Sequence, residues 1–337
     1  MRDRLAAMYC PLEPHQHTIV QPASCCGVGL HTGRTVHLTM KPAPVDNGIR
    51  FFRSDLGGHT PVRAVLDKVI DTRLATTIGD QGVVVSTIEH LLAALRSSDI
   101  DNVDIELDSA EVPIMDGSAE PFMKLLKQAG RNRQEGVRRV LRITKPVSFT
   151  DRDCTLTVTP HDGFKVTGKI SFDNCLIQTQ TYSIEFTTER FCKEIARART
   201  FGYVEQVEEL WANGLALGGT LENVIAIHWD RRSILNEDGL RYQDEFIRHK
   251  VLDLVGDLTL LGCPLLGHVF SFKAGHTQHL GFMEAIVAAR DCWELVELDA
   301  DGSPAVRDGV ADGNQSSAKA LVAMPHLRPS QAIPVAC

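Results

Sequence analysis

Between Gln243 and Leu261, Ile247, Val251, Leu254, Leu258 and Leu261 recur at alternating four- and three-residue intervals, which predicts an amphipathic helix. Upstream the pattern is different. Short β-rich runs at Val36 to Met40, Ile49 to Phe52, Ala75 to Ile78, Val83 to Val85 and Asn102 to Leu107 predict strands. A helix follows Val83 to Val85 from about Glu89, and another covers Ala119 to Gln128. Ala129 to Gly136 is polar and bounded by glycine, the composition of a linker. Beyond it, strands near Val140 to Ile143, Leu156 to Thr159 and Val166 to Ile170 precede helices near Thr188 to Ala198 and along the His249 segment. Strand runs followed by helices in each half give an α+β chain. The divisions are a loose extension over 1–16, a first domain over 17–136, a second over 137–308 and a flexible tail over 309–337. Residues 204–227 read as an insertion of helix, glycine breaks and strand.

The polar positions of the Gln243 to Leu261 helix carry the chemistry. Each four-residue step advances the helix face by about 40°, so His249, Asp253 and Asp257 share one stripe beside the apolar face. A His/Asp pair at i,i+4 can close on one metal ion, although such stripes are also common as solvated faces. Glu89-His90 offers the other half of a site. His90, His249 and Asp253 would form a three-ligand set that leaves a position open for water, with Glu89 as its base. Ser86-x-x-Glu89 is equally a capping box. His276 lies in a strand-to-helix loop before a helical run from about Leu280, where Asp257 could hold it protonated.

Several stretches occur in one order: Gly27-Val28-Gly29-Leu30-His31-Thr32-Gly33, Ser86-Thr87-Ile88-Glu89-His90, Pro113-Ile114-Met115-Asp116-Gly117-Ser118, Ala198-Arg199-Thr200-Phe201-Gly202, Leu235-Asn236-Glu237-Asp238-Gly239-Leu240-Arg241 and Arg248-His249-Lys250. Together they resemble the zinc-dependent UDP-3-O-acyl-N-acetylglucosamine deacetylases of bacterial lipid A synthesis, over roughly residues 18 to 300. The resemblance implies two similarly folded domains, each a sheet layer on helices, with the active site at their interface. It implies zinc on His90, His249 and Asp253 (ferrous iron is also accepted by such ligands), with Glu89 as general base. It further implies His276 as a cation oriented by Asp257, and Thr200 as a hydrogen-bond donor to the oxyanion. Lys250 and Phe201 would line the sugar-nucleotide site, with Phe172 against the uracil and His31 near its mouth. The insertion would guide the acyl chain past Leu210, Trp211, Leu215, Ala216 and Leu217. One position departs: Cys154 stands where the family commonly has a lysine for the diphosphate. Arg152, two residues earlier on the same strand face, could supply that charge.

Composition narrows the classes. The 35 Lys+Arg against 43 Asp+Glu leave a net charge of −8, which argues against a nucleic-acid binder. Nine scattered cysteines without C-x-x-C spacing suit reduced thiols in a cytoplasm. No apolar run approaches the roughly 18 residues of a membrane span, and residues 1 to 16 lack a signal-peptide core. The expected partner is a small acylated sugar nucleotide, met by a monomer without stable membrane insertion. Two other classes share part of the pattern. A non-haem iron oxygenase uses two His and a carboxylate but leaves Glu89 and Thr200 without roles. A non-catalytic sensor would need neither Glu89 nor His276.

Overall fold

Along Val103–Leu107 and Ile49–Arg53 every second side chain is buried, the alternation of strands with one face on a core. These strands pair in parallel at the centre of a five-stranded sheet ordered Ala23–Val28, Thr35–Pro42, Val103–Leu107, Ile49–Arg53, Val62–Arg63. The computed structural model describes residues 12–57, 60–299 and 302. A smaller sheet of Val69–Asp71, Thr77–Asp80 and Val83–Val85 lies beside the first, and the chain then enters helix α1 (Glu89–Ser97). Helix α2 (Glu120–Ala129) closes this half, with Pro121 in its first turn where no amide partner is lost.

The second half is built on a seven-stranded sheet whose central strand, Leu265–Phe272, pairs with three others, Cys154–Thr159, Arg139–Ile143 and Phe164–Ser171. Helices α3 (Thr188–Glu194), α4 (Val207–Ala212), α5 (Glu245–Leu258) and α6 (His276–Ala288) belong to this half. The architecture is α+β. One apolar core runs without interruption from Leu38, Phe51 and Ile105 through α1 to Val251, Leu254 and Val269.

The crossing of α1 and α5 fixes the site. Gly256 faces the α1 backbone so closely that a Cβ there would lie 2.1 Å from the Glu89 carbonyl oxygen. Only glycine permits that approach, which brings the start of α1 against the C-terminal half of α5. Buried Arg199 anchors the start of α5. Its Nε donates to Glu245 Oε1 at 3.0 Å, and Glu245 is itself fully buried.

Several sequence expectations change. The polar stretch predicted as a linker is a strand, Arg131–Val137, antiparallel to His15–Ile19; mostly exposed, with no buried residue, it needs no apolar alternation. His15 and Gln16 therefore belong to a strand and not to a loose extension, while 1–11 and the tail 309–337 lie outside the described residues. The strand predicted from Ala75 starts at Thr77, because Thr76 turns its amide and hydroxyl elsewhere. Within the insertion, Ile225–Ile227 pairs in parallel with Phe201–Tyr203, and α4 precedes it.

Candidate metal centre and catalytic cavity

The crossing places Glu89 and His90, from the first turn of α1, against His249 and Asp253 on α5. All four are buried. His249 Nε2 lies 3.3 Å and His90 Nε2 3.5 Å from Asp253 Oδ1, and the imidazoles meet edge to face with centroids 5.0 Å apart. Second contacts fix two of these groups. The His249 Nδ1–H donates to the Ala198 carbonyl at 3.0 Å, leaving Nε2 as a free lone pair, and Lys250 Nζ donates to Asp253 Oδ2 at 2.8 Å. Among the described residues Asp253 Oδ1 has no hydrogen-bond partner, although it is buried.

An orphaned carboxylate oxygen facing two imidazole nitrogens is costly unless something positive sits between them. Tetrahedral bonds of 2.0–2.2 Å would separate neighbouring ligand atoms by about 3.4 Å, the spacing seen here. The three ligand atoms all lie within 4.8 Å of one another. The residues fit a tetrahedral divalent cation. Burial draws the His249 pKa down to about 3, which keeps the imidazole a neutral ligand. Burial opposes the charge of Asp253, but His249 and Lys250 hold its pKa well below the usual carboxylate range.

A second polar cluster adjoins the first. His276 Nδ1 and His279 Nδ1 each lie 2.7 Å from Asp257 Oδ2, and the Thr76 hydroxyl donates to Asp257 Oδ1 at 2.6 Å. Burial opposes a charge on His276, but Asp257 outweighs it and raises the pKa to about 9. The Thr76 amide donates to Glu89 Oε2 at 3.1 Å, while burial raises the Glu89 pKa, partly offset by His276 and His90. Glu89, His90, His249, Asp253 and His276 open on one cavity of about 470 Å³, whose walls include Thr200, Phe201 and Lys250.

A family model described as LpxC, UDP-3-O-acyl N-acetylglycosamine deacetylase, matches residues 16–288. The chain belongs to this family. It is 48% identical over 283 residues to the UDP-3-O-acyl-N-acetylglucosamine deacetylase of Syntrophotalea carbinolica, covering 84% of this chain and 91% of the relative. The enzyme of the same name from Myxococcus xanthus is 46% identical over 286 residues, 85% of this chain and 90% of the relative. That from Hahella chejuensis is 46% identical over 289 residues, 85% and 95%.

Within this deacetylase-family fold, nine of the eleven residues singled out in the sequence meet at one place. Glu89, His90, Thr200, Phe201, His249, Lys250, Asp253 and His276 line the cavity, and Asp257 stands behind His276. Phe172 and His31 do not line it. Phe172 packs in an apolar cluster, its ring 6.1 Å from that of Phe201. His31 is held in its loop, where its amide donates to buried Glu111 at 2.8 Å and its Nδ1 accepts from the Ala216 amide at 3.4 Å.

Three local readings are corrected. Ser86 and Glu89 form no capping box: Thr87 takes a left-handed φ of 57°, Ile88 occupies the cap position, and the Glu89 carboxylate turns to Thr76. His276 is the first residue of α6 rather than a loop residue, because Gln278 reaches back to the Gly275 amide and starts the helix there. Arg152 lies in the two-residue turn between paired Asp151 and Cys154, with φ of 54°, and so shares no strand face with Cys154. Cys154 Sγ instead approaches the Lys273 carbonyl at 3.1 Å.

Sequence reasoning overlooked Thr76, His279 and Glu111. His279 had a signal: it follows His276 by three residues, one helical turn, once α6 is started at the right place. Thr76 and Glu111 had none.

Proposed function

We propose that this protein hydrolyses the N-acetyl group of UDP-3-O-acyl-N-acetylglucosamine, giving UDP-3-O-acyl-glucosamine and acetate, as a zinc-dependent step of lipid A synthesis in the cytoplasm. Among the described residues no helix is long and apolar enough to cross a membrane. The observation that carries the reading is the orphaned Asp253 Oδ1 facing two imidazole nitrogens at metal-ligand spacing, in a chain of this family. His90, His249 and Asp253 would hold the zinc; ferrous iron suits the same ligands. When bound, such a cation acidifies water and polarises a carbonyl.

The chain's own residues supply the rest. Glu89 is buried beside the ligands with its pKa raised, so its free carboxylate oxygen is placed to take a proton from water. His276 spends Nδ1 on Asp257 and keeps its Nε2–H for the developing oxyanion and the departing amine. Thr200 is braced on both sides of its backbone, its amide donating to the Gly117 carbonyl at 2.9 Å and its carbonyl accepting from the Ile225 amide at 2.8 Å. From the cavity wall its hydroxyl would serve as a second oxyanion donor. Lys250 and Phe201 would contact the sugar nucleotide, with Phe172 and His31 beyond the cavity wall. The insertion, bonded through Leu217 and Gly218 to the backbone of His31 and Leu30, would carry the acyl chain. The protein would act as a monomer.

The test is acetate release from UDP-3-O-acyl-N-acetylglucosamine by the purified chain, before and after chelation and after zinc is restored. Loss on chelation and recovery with zinc is the expected result. One metal bound per chain without acetate release would sink the proposal.

A further inference from the structure

A second cavity, of about 330 Å³, lies at the far ends of the two helices that carry the metal ligands. Arg96 on its wall is in the last turn of α1, seven residues and about 10 Å along the helix from Glu89. Thr259, Gly262 and Cys263 bring in the chain that leaves α5. Arg63 comes from the first half and Arg138 and Arg139 from the second, so both halves wall the space.

These four guanidiniums are not equally satisfied. Arg138, 1% exposed, is held by Asp99 at 3.0 Å and Asp101 at 2.6 Å. Arg139 is 3.7 Å from the exposed carboxylate of Asp46. Arg96 is only 12% exposed, yet among the described residues its one ion pair is with Asp99 at 3.9 Å, beyond hydrogen-bond length, and Asp99 already serves Arg131 and Arg138. The Arg63 side chain makes no hydrogen bond or ion pair among the described residues. Two cations with five N–H donors each therefore wall a cavity whose buried-side carboxylate, Asp101, is taken by Arg138, and whose other, Asp46, is exposed and already meets Gln16 and Arg139 through Oδ1. Burial works against the Arg96 charge, and Asp99 restores it only in part. A planar guanidinium left in that state is matched by an oxyanion, which two forks can grip in a bidentate manner.

We infer that this rear cavity, walled by Arg63 and Arg96 and separate from the catalytic cavity, is a binding site for a small oxyanion of the phosphate type. The space is at the lower end of those that hold small ligands, enough for a phosphate and a compact group attached to it. Its occupant would touch the ends of both α1 and α5.

Calorimetric titration of the metal-loaded full chain with inorganic phosphate, with ionic strength held by chloride, tests this. The expected result is one phosphate per chain with a Kd of about 1 mM or tighter. Binding should weaken by at least about tenfold in the exposed Arg63→Gln variant, by the arithmetic of one lost charge-assisted contact. It should disappear in Arg96→Gln and persist in the catalytic-cavity variants Lys250→Gln and Thr200→Val. Displacement of phosphate by acetate would extend the same site to carboxylates. Heat no greater than that of chloride, or phosphate binding lost in the catalytic-cavity variants but kept in both arginine variants, overturns the inference. Because Arg63 is exposed, its variant remains informative even if Arg96→Gln does not fold.

Discussion

His90, His249 and Asp253 on one side, and Asp257, His276 and His279 on the other, are both sets of two imidazoles and one carboxylate with their ligand atoms within 4.8 Å. Both are buried. Composition and burial cannot tell them apart; the distances can. In the second set each imidazole reaches the carboxylate at 2.7 Å and a threonine hydroxyl takes the other oxygen, so the carboxylate is fully engaged. In the first set the approaches are 3.3 and 3.5 Å and one carboxylate oxygen is left bare. One set closes on itself, and the other keeps the spacing that a cation would fill.

The largest expected effect separates the two sets directly. His249→Ala should reduce bound metal from about one per chain to almost none. Acetate release should fall by more than the roughly 10³-fold that loss of a single oxyanion donor costs. His279→Asn should keep its metal, as elemental analysis of the two purified variants would show; equal metal loss from both would dissolve the distinction. Thr200→Val, beside the first set but not in it, should cost about 10²- to 10³-fold in kcat with metal content unchanged.

Asp257→Asn sharpens the contrast through pH. Asp257 is the main group raising the His276 pKa to about 9, with Glu89 and Asp253 adding to it while burial pulls it down. The imidazolium is present below that value and lost above it. Without the Asp257 charge burial is less opposed, so the alkaline limb of kcat/KM should move down toward neutrality. An unmoved limb would show that His276 is not the group being read. Gly256→Ala should have the smallest effect, about 1–3 kcal/mol of stability measured by denaturant unfolding, because its Cβ would push on the Glu89 carbonyl.

The parts of the site that could be read in the sequence are those set by local spacing. His249, Asp253 and Asp257 are at i,i+4 on one helix, and any helix that forms there puts them on one stripe. The α+β character was legible for the same reason, since apolar periods of two and 3.6 residues change where the elements change. What could not be read depends on long-range geometry. Thr76 bonds a residue 181 positions away, and nothing in its neighbourhood marks it. The Ser86 to Glu89 spacing suggested a cap, but the left-handed backbone at Thr87 reoriented the turn. Ala129 to Gly136 looked like a linker because a mostly exposed strand, Arg131–Val137, can be polar along most of its length.

The proposed metal ligands come from distant parts of the chain: His90 from its first third, His249 and Asp253 from its last. During synthesis the ribosome must extend the chain 163 residues past His90 before the last ligand exists. A nascent chain thus carries a lone imidazole and cannot sequester zinc through this set. Capture of an ion by the full proposed set would therefore wait until α5 has docked on α1, so the site reports on a long-range contact and not on a local one.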